Sequence, residues 1–433
     1  MAFLSHILLA VSISVMLFSG SCFEFFESSA RAASPVSDDH HHHHRHHEEP
    51  ASAQGTNNEV NVDDFGAIGD GVNDDTEAFL KAWNNICSSS SKAIFHVPVG
   101  KEYNLKPITF QGPCNSPITF NLNGDIFASK NLGDYEKNTR YWIVFKNIQD
   151  LTLNGGGGTI DGNGQVWWPK HCKRDKTQPC IARATALTFE SCKNLLVNNL
   201  NLRNSQRMHL TIDDCKNVEL SHIKINSPRD SPNTDGIHIT GSTNVDLSHC
   251  VISTGDDCVS IVGGSHDIMA TNMVCGPSHG ISIGSLGEDG KIDIVSNIKV
   301  RGALIAGADN GVRIKSWQGG KGIAENIVFQ DIRMLHVKNP IIIDQFYCDK
   351  KGKCPEEEKE AVKIRNVVYE NIKGFSASKD GISLNCSKNV PCEGITMEGV
   401  ELVYKDGSSE AVCSSAKVSE KGLISPRCST TSQ

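Results

Sequence analysis

Three stretches decide the fold: Asp235-Gly236-Ile237-His238-Ile239, Asp257-Cys258-Val259-Ser260-Ile261 and His279-Gly280-Ile281-Ser282-Ile283. In each, an ionisable residue stands two positions ahead of a short run whose side chains alternate between apolar and polar, the mark of a strand with one buried face. The ionisable residues are 22 positions apart at each step. Working outward, similar runs recur at Leu187-Thr188-Phe189, Leu210-Thr211-Ile212, Val312-Arg313-Ile314 and Ile341-Ile342-Ile343. The seven starts are separated by 23, 27, 22, 22, 31 and 29 residues. A polar turn, often containing Asn or Asp, leads to a second strand such as Val218-Glu219-Leu220 or Val245-Asp246-Leu247, and then to a third such as Ile223-Lys224-Ile225.

Three short strands per period with no helix between them predict an all-β chain wound as a parallel β-helix, a single-stranded solenoid. A β-propeller needs about 40 or more residues per blade, and a leucine-rich repeat needs its Leu/Asn consensus; the sequence has neither. The one helical signal comes first. Asp74 or Asp75 is placed to cap a short amphipathic helix with Ala78, Phe79, Ala82 and Trp83 on one side, which predicts an N-terminal capping helix.

The net charge of −8 over 433 residues argues against a general binder of nucleic acid or anionic membrane. It leaves room for an acidic substrate held by a local cluster of Arg and Lys. Residues 1–23 read as a secretory signal peptide, with an apolar run from Ile7 to Phe18 followed by Ser19, Gly20 and Ser21. An uncleaved anchor is the alternative, and the shortness of the run speaks against it. Residues 24–58, rich in Ser, Ala, Asp and Glu and carrying the run His40 to His44 with His46 and His47, read as a disordered leader. Residues 59–433 then form the catalytic β-helix. Of the 16 cysteines, Cys172 and Cys180, Cys348 and Cys354, Cys386 and Cys392, and Cys413 and Cys428 stand in close pairs. In an exported protein these read as loop-stapling disulfides, three of them at the C-terminal end. None has CxxC or CxxH spacing, so zinc is not expected.

Coils of a β-helix stack at about 4.8 Å, so side chains one period apart form a ladder. Asp235, Asp257 and His279 should therefore line up in successive coils, with Asp256 beside them. Arg313 and Lys315 flank the inward Ile314 one coil later and should face the same groove. Like charges stacked this closely repel, which raises the pKa of at least one carboxyl and leaves an acid beside ionised partners. Acid-catalysed glycoside hydrolysis requires that combination: one carboxylic acid to protonate the leaving oxygen, one carboxylate to activate water. Arg313 and Lys315 supply cations for an anionic sugar. An isolated Asn-Thr-Asp-Gly is ordinarily a turn, but all six residues in register are poorly explained that way. Calcium held by the carboxylates is a further rival, disfavoured by the cations in the same groove.

Asn233-Thr234-Asp235-Gly236, Gly255-Asp256-Asp257-Cys258, Ser278-His279-Gly280 and Arg313-Ile314-Lys315 resemble, in order, the four signature motifs of the polygalacturonase family of glycoside hydrolases, plant branch. The resemblance implies a right-handed parallel β-helix and inverting hydrolysis of α-1,4 galacturonosidic bonds in homogalacturonan. It implies Asp256 as general acid, Asp235 and Asp257 as the pair that holds and activates water, and His279 as the residue that tunes the acid. Arg313 and Lys315 would bind the substrate carboxylate; Tyr347 and Asn233 would also contact substrate. A disulfide between Cys258 and Cys275 is implied too. Two positions depart from the pattern: Ser278 replaces the first glycine of the third motif, and Phe346 stands where plant relatives usually carry Asn. Activity is expected to survive both, with altered sugar preference or rate. Also expected are no cofactor, no metal, no nucleic-acid partner, a pectin substrate, a monomer, no membrane association after signal cleavage and a secreted, cell-wall location. The alternatives are a related hydrolase of xylogalacturonan or rhamnogalacturonan and a non-catalytic pectin-binding protein.

Overall fold

The computed structural model describes residues 58–136, 140–170, 183–349, 354, 356–405 and 407–428. The expected signal peptide, the leader up to residue 57 and the Cys172/Cys180 pair lie outside the described residues.

Each coil lays down strands that hydrogen-bond in parallel to the coils before and after. One stack of eleven strands starts at Ile108–Gln111 and ends at Glu410–Ser414. Its middle members are Leu210–Asp213, Ile237–Thr240, Val259–Ile261, Ile281–Leu286, Asn310–Ser316 and Asn339–Asp344. Leu210, Ile237, Val259, Ile281, Val312 and Ile341 stand beside one another in successive strands, the row the repeat predicts. The chain is a right-handed parallel β-helix, the hand that parallel crossovers favour.

The other two strands of the early coils form their own parallel stacks, such as Lys216–Ser221 on Thr243–Ser248 and Lys224–Asn226 on Val251–Ser253. From His266–Cys275 onward these stacks fuse. That strand pairs with both of its predecessors, and Ile292–Ala306 and Lys321–Val337 continue it with 15 and 17 residues. The expectation of three short strands thus holds for the early coils only. The corner itself persists, because Asn272, Gly302 and Asp331 keep left-handed φ values of 53°, 69° and 57° inside the continuous strands.

The interior is an apolar column. The inward residues from Leu210 to Ile341 in the aligned row are fully buried. Near the N-terminal end aromatic rings replace them, with Phe95 stacked on Phe120 at 4.5 Å and Phe110 on Phe145 at 4.7 Å. The capping helix spans Thr76–Cys87 and closes this end. Its Trp83 lies 5.1 Å from Phe110 and 5.8 Å from Phe145, ring centre to ring centre. Burying such a ring contributes about 2–3 kcal/mol. Asp75 holds the cap position, but its carboxylate accepts from the N–H of Ile68 at 2.6 Å. The capping bond comes from Asp74, whose Oδ1 accepts from the Thr76 N–H at 3.0 Å.

Polar turns are stacked as regularly as the core. Asn194, Asn217 and Asn244 take φ values of 54°, 57° and 56°, a left-handed geometry that Asn tolerates better than most residues. Asn217 Nδ2 donates to Asn194 Oδ1 at 2.9 Å, and Asn244 Nδ2 to Asn217 Oδ1 at 3.0 Å. Disulfides join Cys348 to Cys354, Cys386 to Cys392 and Cys413 to Cys428, as the spacing suggested. An unforeseen one, Cys87–Cys114, ties the end of the capping helix to a loop. No helix among the described residues is long and apolar enough to cross a membrane.

Candidate active site

Ile237, Val259 and Ile281 are register partners, so the residues two positions ahead of them, Asp235, Asp257 and His279, occupy equivalent places in three successive coils. The turns that carry them are tight. Gly280 has φ +88°, and a Cβ there would lie 2.1 Å from the Asn310 carbonyl oxygen, which excludes any side chain.

Asp257 is the anchor of the site and is only 1% exposed. Its Oδ1 accepts from Arg313 Nη2 at 2.7 Å and from Ser282 Oγ at 2.8 Å, and its Oδ2 accepts from Lys315 Nζ at 2.8 Å. Arg313 Nε also donates to Ser282 Oγ at 3.0 Å. The two cations thus project from Asn310–Ser316 to the face where the alternation placed them. For Lys315, burial works against its charge, but the Asp257 carboxylate outweighs it and the amine titrates above its ordinary range.

Asp256 has different partners. Its Oδ1 meets His279 Nδ1 at 3.0 Å and accepts from the Asp257 N–H at 2.9 Å, while Asn233 Nδ2 donates to its Oδ2 at 3.4 Å. The second nitrogen of His279 lies 3.4 Å from Asp309 Oδ2. The hydrogen bond to Asp256 raises the His279 pKa against the opposing effect of burial, and the charges of Asp256 and Asp257 add to it.

Asp235 is 8% exposed and accepts from Ser260 Oγ at 2.8 Å. That hydroxyl is in turn 2.7 Å from His238 Nδ1. Burial, and then the charges of Asp256 and Asp257, push the Asp235 carboxyl up to about 7. The raised carboxyl that stacked like charges call for is therefore on Asp235.

Tyr347 is half-buried, with Lys315 Nζ 5.2 Å from its ring centre and Trp317 edge-on at 5.7 Å. The Cys258–Cys275 disulfide is present and ties the turn that carries Asp256 and Asp257 to the one that carries His279. Ser278 fits without strain: it lies outside the left-handed region, and its Oγ accepts from the Gly280 N–H at 3.0 Å. Ser260, Ser282, His238 and Asp309 belong to the site as well. Their sequence signal was faint, since an outward Ser or His in an alternating strand is ordinary.

Asp256, Asp257 and His279 bring donor atoms within 4.8 Å of one another, near enough to share a cation. Both oxygens of Asp257 are already engaged by Arg313 and Lys315. A metal ion here would face two positive side chains, so the donor set suits an anion better.

Over 371 residues the chain is 51% identical to Polygalacturonase QRT2 of Arabidopsis thaliana, covering 85% of this chain and 84% of that one. It is 51% identical over 372 residues to Polygalacturonase-2 of Solanum lycopersicum, covering 86% and 81%. Among solved structures, the endo-xylogalacturonan hydrolase of Aspergillus tubingensis superposes with a TM-score of 0.72 at 26% identity, over 84% of this chain and all of that one. The polygalacturonase of Erwinia carotovora ssp. carotovora gives 0.68 at 22% identity, over 86% and 99%, a likeness of fold. Residues 87–424 match the family described as glycosyl hydrolases family 28. With acids, imidazole and cations gathered on four neighbouring coils of a β-helix, the chain is a glycoside hydrolase and belongs to family 28.

Proposed function

We propose that this enzyme hydrolyses α-1,4 bonds between galacturonate residues of homogalacturonan, with inversion at the anomeric carbon. The observation that carries the proposal is the meeting of three carboxylates with Arg313 and Lys315 around Asp257. A guanidinium has five donors and an ammonium three. Both cations can therefore keep Asp257 and still accept the carboxylate of an incoming uronate.

In this reading Asp256 protonates the glycosidic oxygen as the bond to the leaving sugar breaks. Its hydrogen-bond partner His279 holds it in place and adjusts its proton affinity. Water lodged between Asp235 and Asp257 gives a proton to one of these two carboxylates as its oxygen bonds to the anomeric carbon from the opposite face, which gives a single inverting displacement. Tyr347 and Asn233 contact the sugars beside the cut. The chemistry needs no cofactor. Export behind residues 1–23, a monomeric state and action in the cell wall complete the proposal; the five disulfides among the described residues suit an oxidising compartment.

The relation to a xylogalacturonan hydrolase keeps substituted pectin as the second reading. Measuring new reducing ends on polygalacturonic acid, xylogalacturonan and rhamnogalacturonan, with Asp256→Asn as control, tests both. Fastest release from polygalacturonic acid, at least about a thousandfold slower in the variant, is the expected result. No release from any of the three, or equal release by the variant, contradicts catalysis at this site; faster release from a substituted pectin replaces the substrate.

A further inference from the structure

The outward positions of the eleven-strand stack continue past the cations. Lys315 is the register partner of Asp344, and Asp344 of Asn385. On the strand Asp380–Asn385, Ile382 and Leu384 point inward and are fully buried, whereas Asn385 is exposed. Its amide is held loosely, with Nδ2 3.5 Å from Asp344 Oδ1.

Asn385-Cys386-Ser387 is the one Asn-x-Ser/Thr triplet in the 433 residues, and this triplet is the acceptor pattern for an N-linked glycan in an exported chain. Its two ends differ. Ser387 is fully buried and organises the turn that follows: its Oγ accepts from the N–H groups of Asn389 at 3.2 Å and Val390 at 3.3 Å, and donates to Glu357 Oε1 at 3.1 Å. Asn385 has no such part in the turn, and its exposed side chain has room for a bulky group. The acids and cations of the site lie on four successive coils, so a polysaccharide held by both crosses the coils in turn. Asn385 stands two coils beyond Lys315 in the same outward row, roughly 10 Å on, on the side away from Asp235.

We propose that Asn385 carries an N-linked glycan, which stands across the groove beyond Lys315 and limits how far a pectin chain extends there. The inference rests on the export and polygalacturonate readings above. In the transfer, Asn385 Nδ2 bonds to C1 of the first sugar of an oligosaccharide carried on a lipid pyrophosphate. The C1–O bond to the pyrophosphate breaks, the lipid pyrophosphate leaves with the bonding electrons, and the amide gives up one N–H proton. In the folded chain the Ser387 hydroxyl is buried and Cys386 is closed onto Cys392, so the transfer precedes folding.

The full chain, expressed in a glycosylating and secreting cell line beside Asn385→Gln, tests this. Wild type collected from the medium should lose the mass of one glycan on treatment with a peptide-N-glycosidase, with the Asn385 amide converted to a carboxylic acid; the Gln variant should lose none. On long de-esterified polygalacturonate, kcat/KM should be about threefold or more higher for the variant, the worth of one added sugar contact, while the shortest oligomer cleaved shows no difference. Enzymatically deglycosylated wild type should show the same gain, which assigns it to the glycan. A secreted wild type of unmodified mass overturns the site. A glycosylated wild type whose Gln variant keeps the same ratio of long-chain to short-chain cleavage overturns the glycan's place across the groove. A chain that never reaches the medium contradicts export and the whole inference with it. A glycosylated wild type that releases nothing from polygalacturonate contradicts the substrate reading and, with it, the effect on chain length.

Discussion

The Asn194–Asn217–Asn244 stack and the Asp235–Asp257–His279 stack use one geometry, a single side chain per coil, to opposite ends. In the first, each amide donates to the one before it and accepts from the one after, at 2.9 and 3.0 Å. The members are complementary, so the stack stabilises the corner. In the second, neighbouring carboxylates cannot satisfy each other. Asp257 draws in Arg313 and Lys315, Asp256 takes His279, and Asp235 is left with a hydroxyl partner and a pKa pushed up to about 7. Repetition alone does not make a site. What makes one here is repetition of a group that repels itself.

The largest effect expected from this contrast is at Asp257. Asp257→Asn leaves two largely buried cations facing an amide. It should cost about 3 kcal/mol of stability and lower the rate by about a thousandfold or more. Denaturant titration and a reducing-end assay read the two losses. A variant as stable as the wild type would mean that the cations have another counter-charge. A smaller effect is expected in the corner. Asn217→Ala removes two side-chain bonds and places a Cβ-bearing residue without a polar side chain at φ 57°. It should lower stability by about 2 kcal/mol at every pH and leave the rate per folded molecule unchanged. Lost activity in a folded Asn217 variant would blur the distinction between the two stacks.

Much of this contrast was legible before any coordinates. The 22-residue step from Asp235 to Asp257 to His279 fixed which residues would share a row, because parallel strands must keep register for their apolar faces to stay buried. Alternation around Ile314 likewise gave the direction of Arg313 and Lys315. Other features escaped the sequence for physical reasons. Which carboxyl takes the raised pKa depends on burial and on where the cations land, and neither is written in a period. The choice between Asp74 and Asp75 as helix cap is tertiary too: the Asp75 carboxylate is drawn to the N–H groups of Ile68 and Gly69, and Asp74 makes the capping bond. The fusion of two strand stacks after Ser253 was hidden because the left-handed corner at Asn272 looks, in sequence, like any other turn.

The most direct test of the contrast is the pH dependence of stability in wild type and Asp235→Asn. The folded Asp235 carboxyl binds its proton more tightly than the unfolded one, whose value is near 3.8. Its contribution to stability is therefore fully present below that pH and is lost as pH rises through about 7. Thermal melts between pH 5 and pH 8 should show the wild type losing ground to the variant as pH rises, with a final gap of about 2 °C or more. Two curves that stay parallel across that range would contradict the claim that the groove stack holds an uncompensated charge.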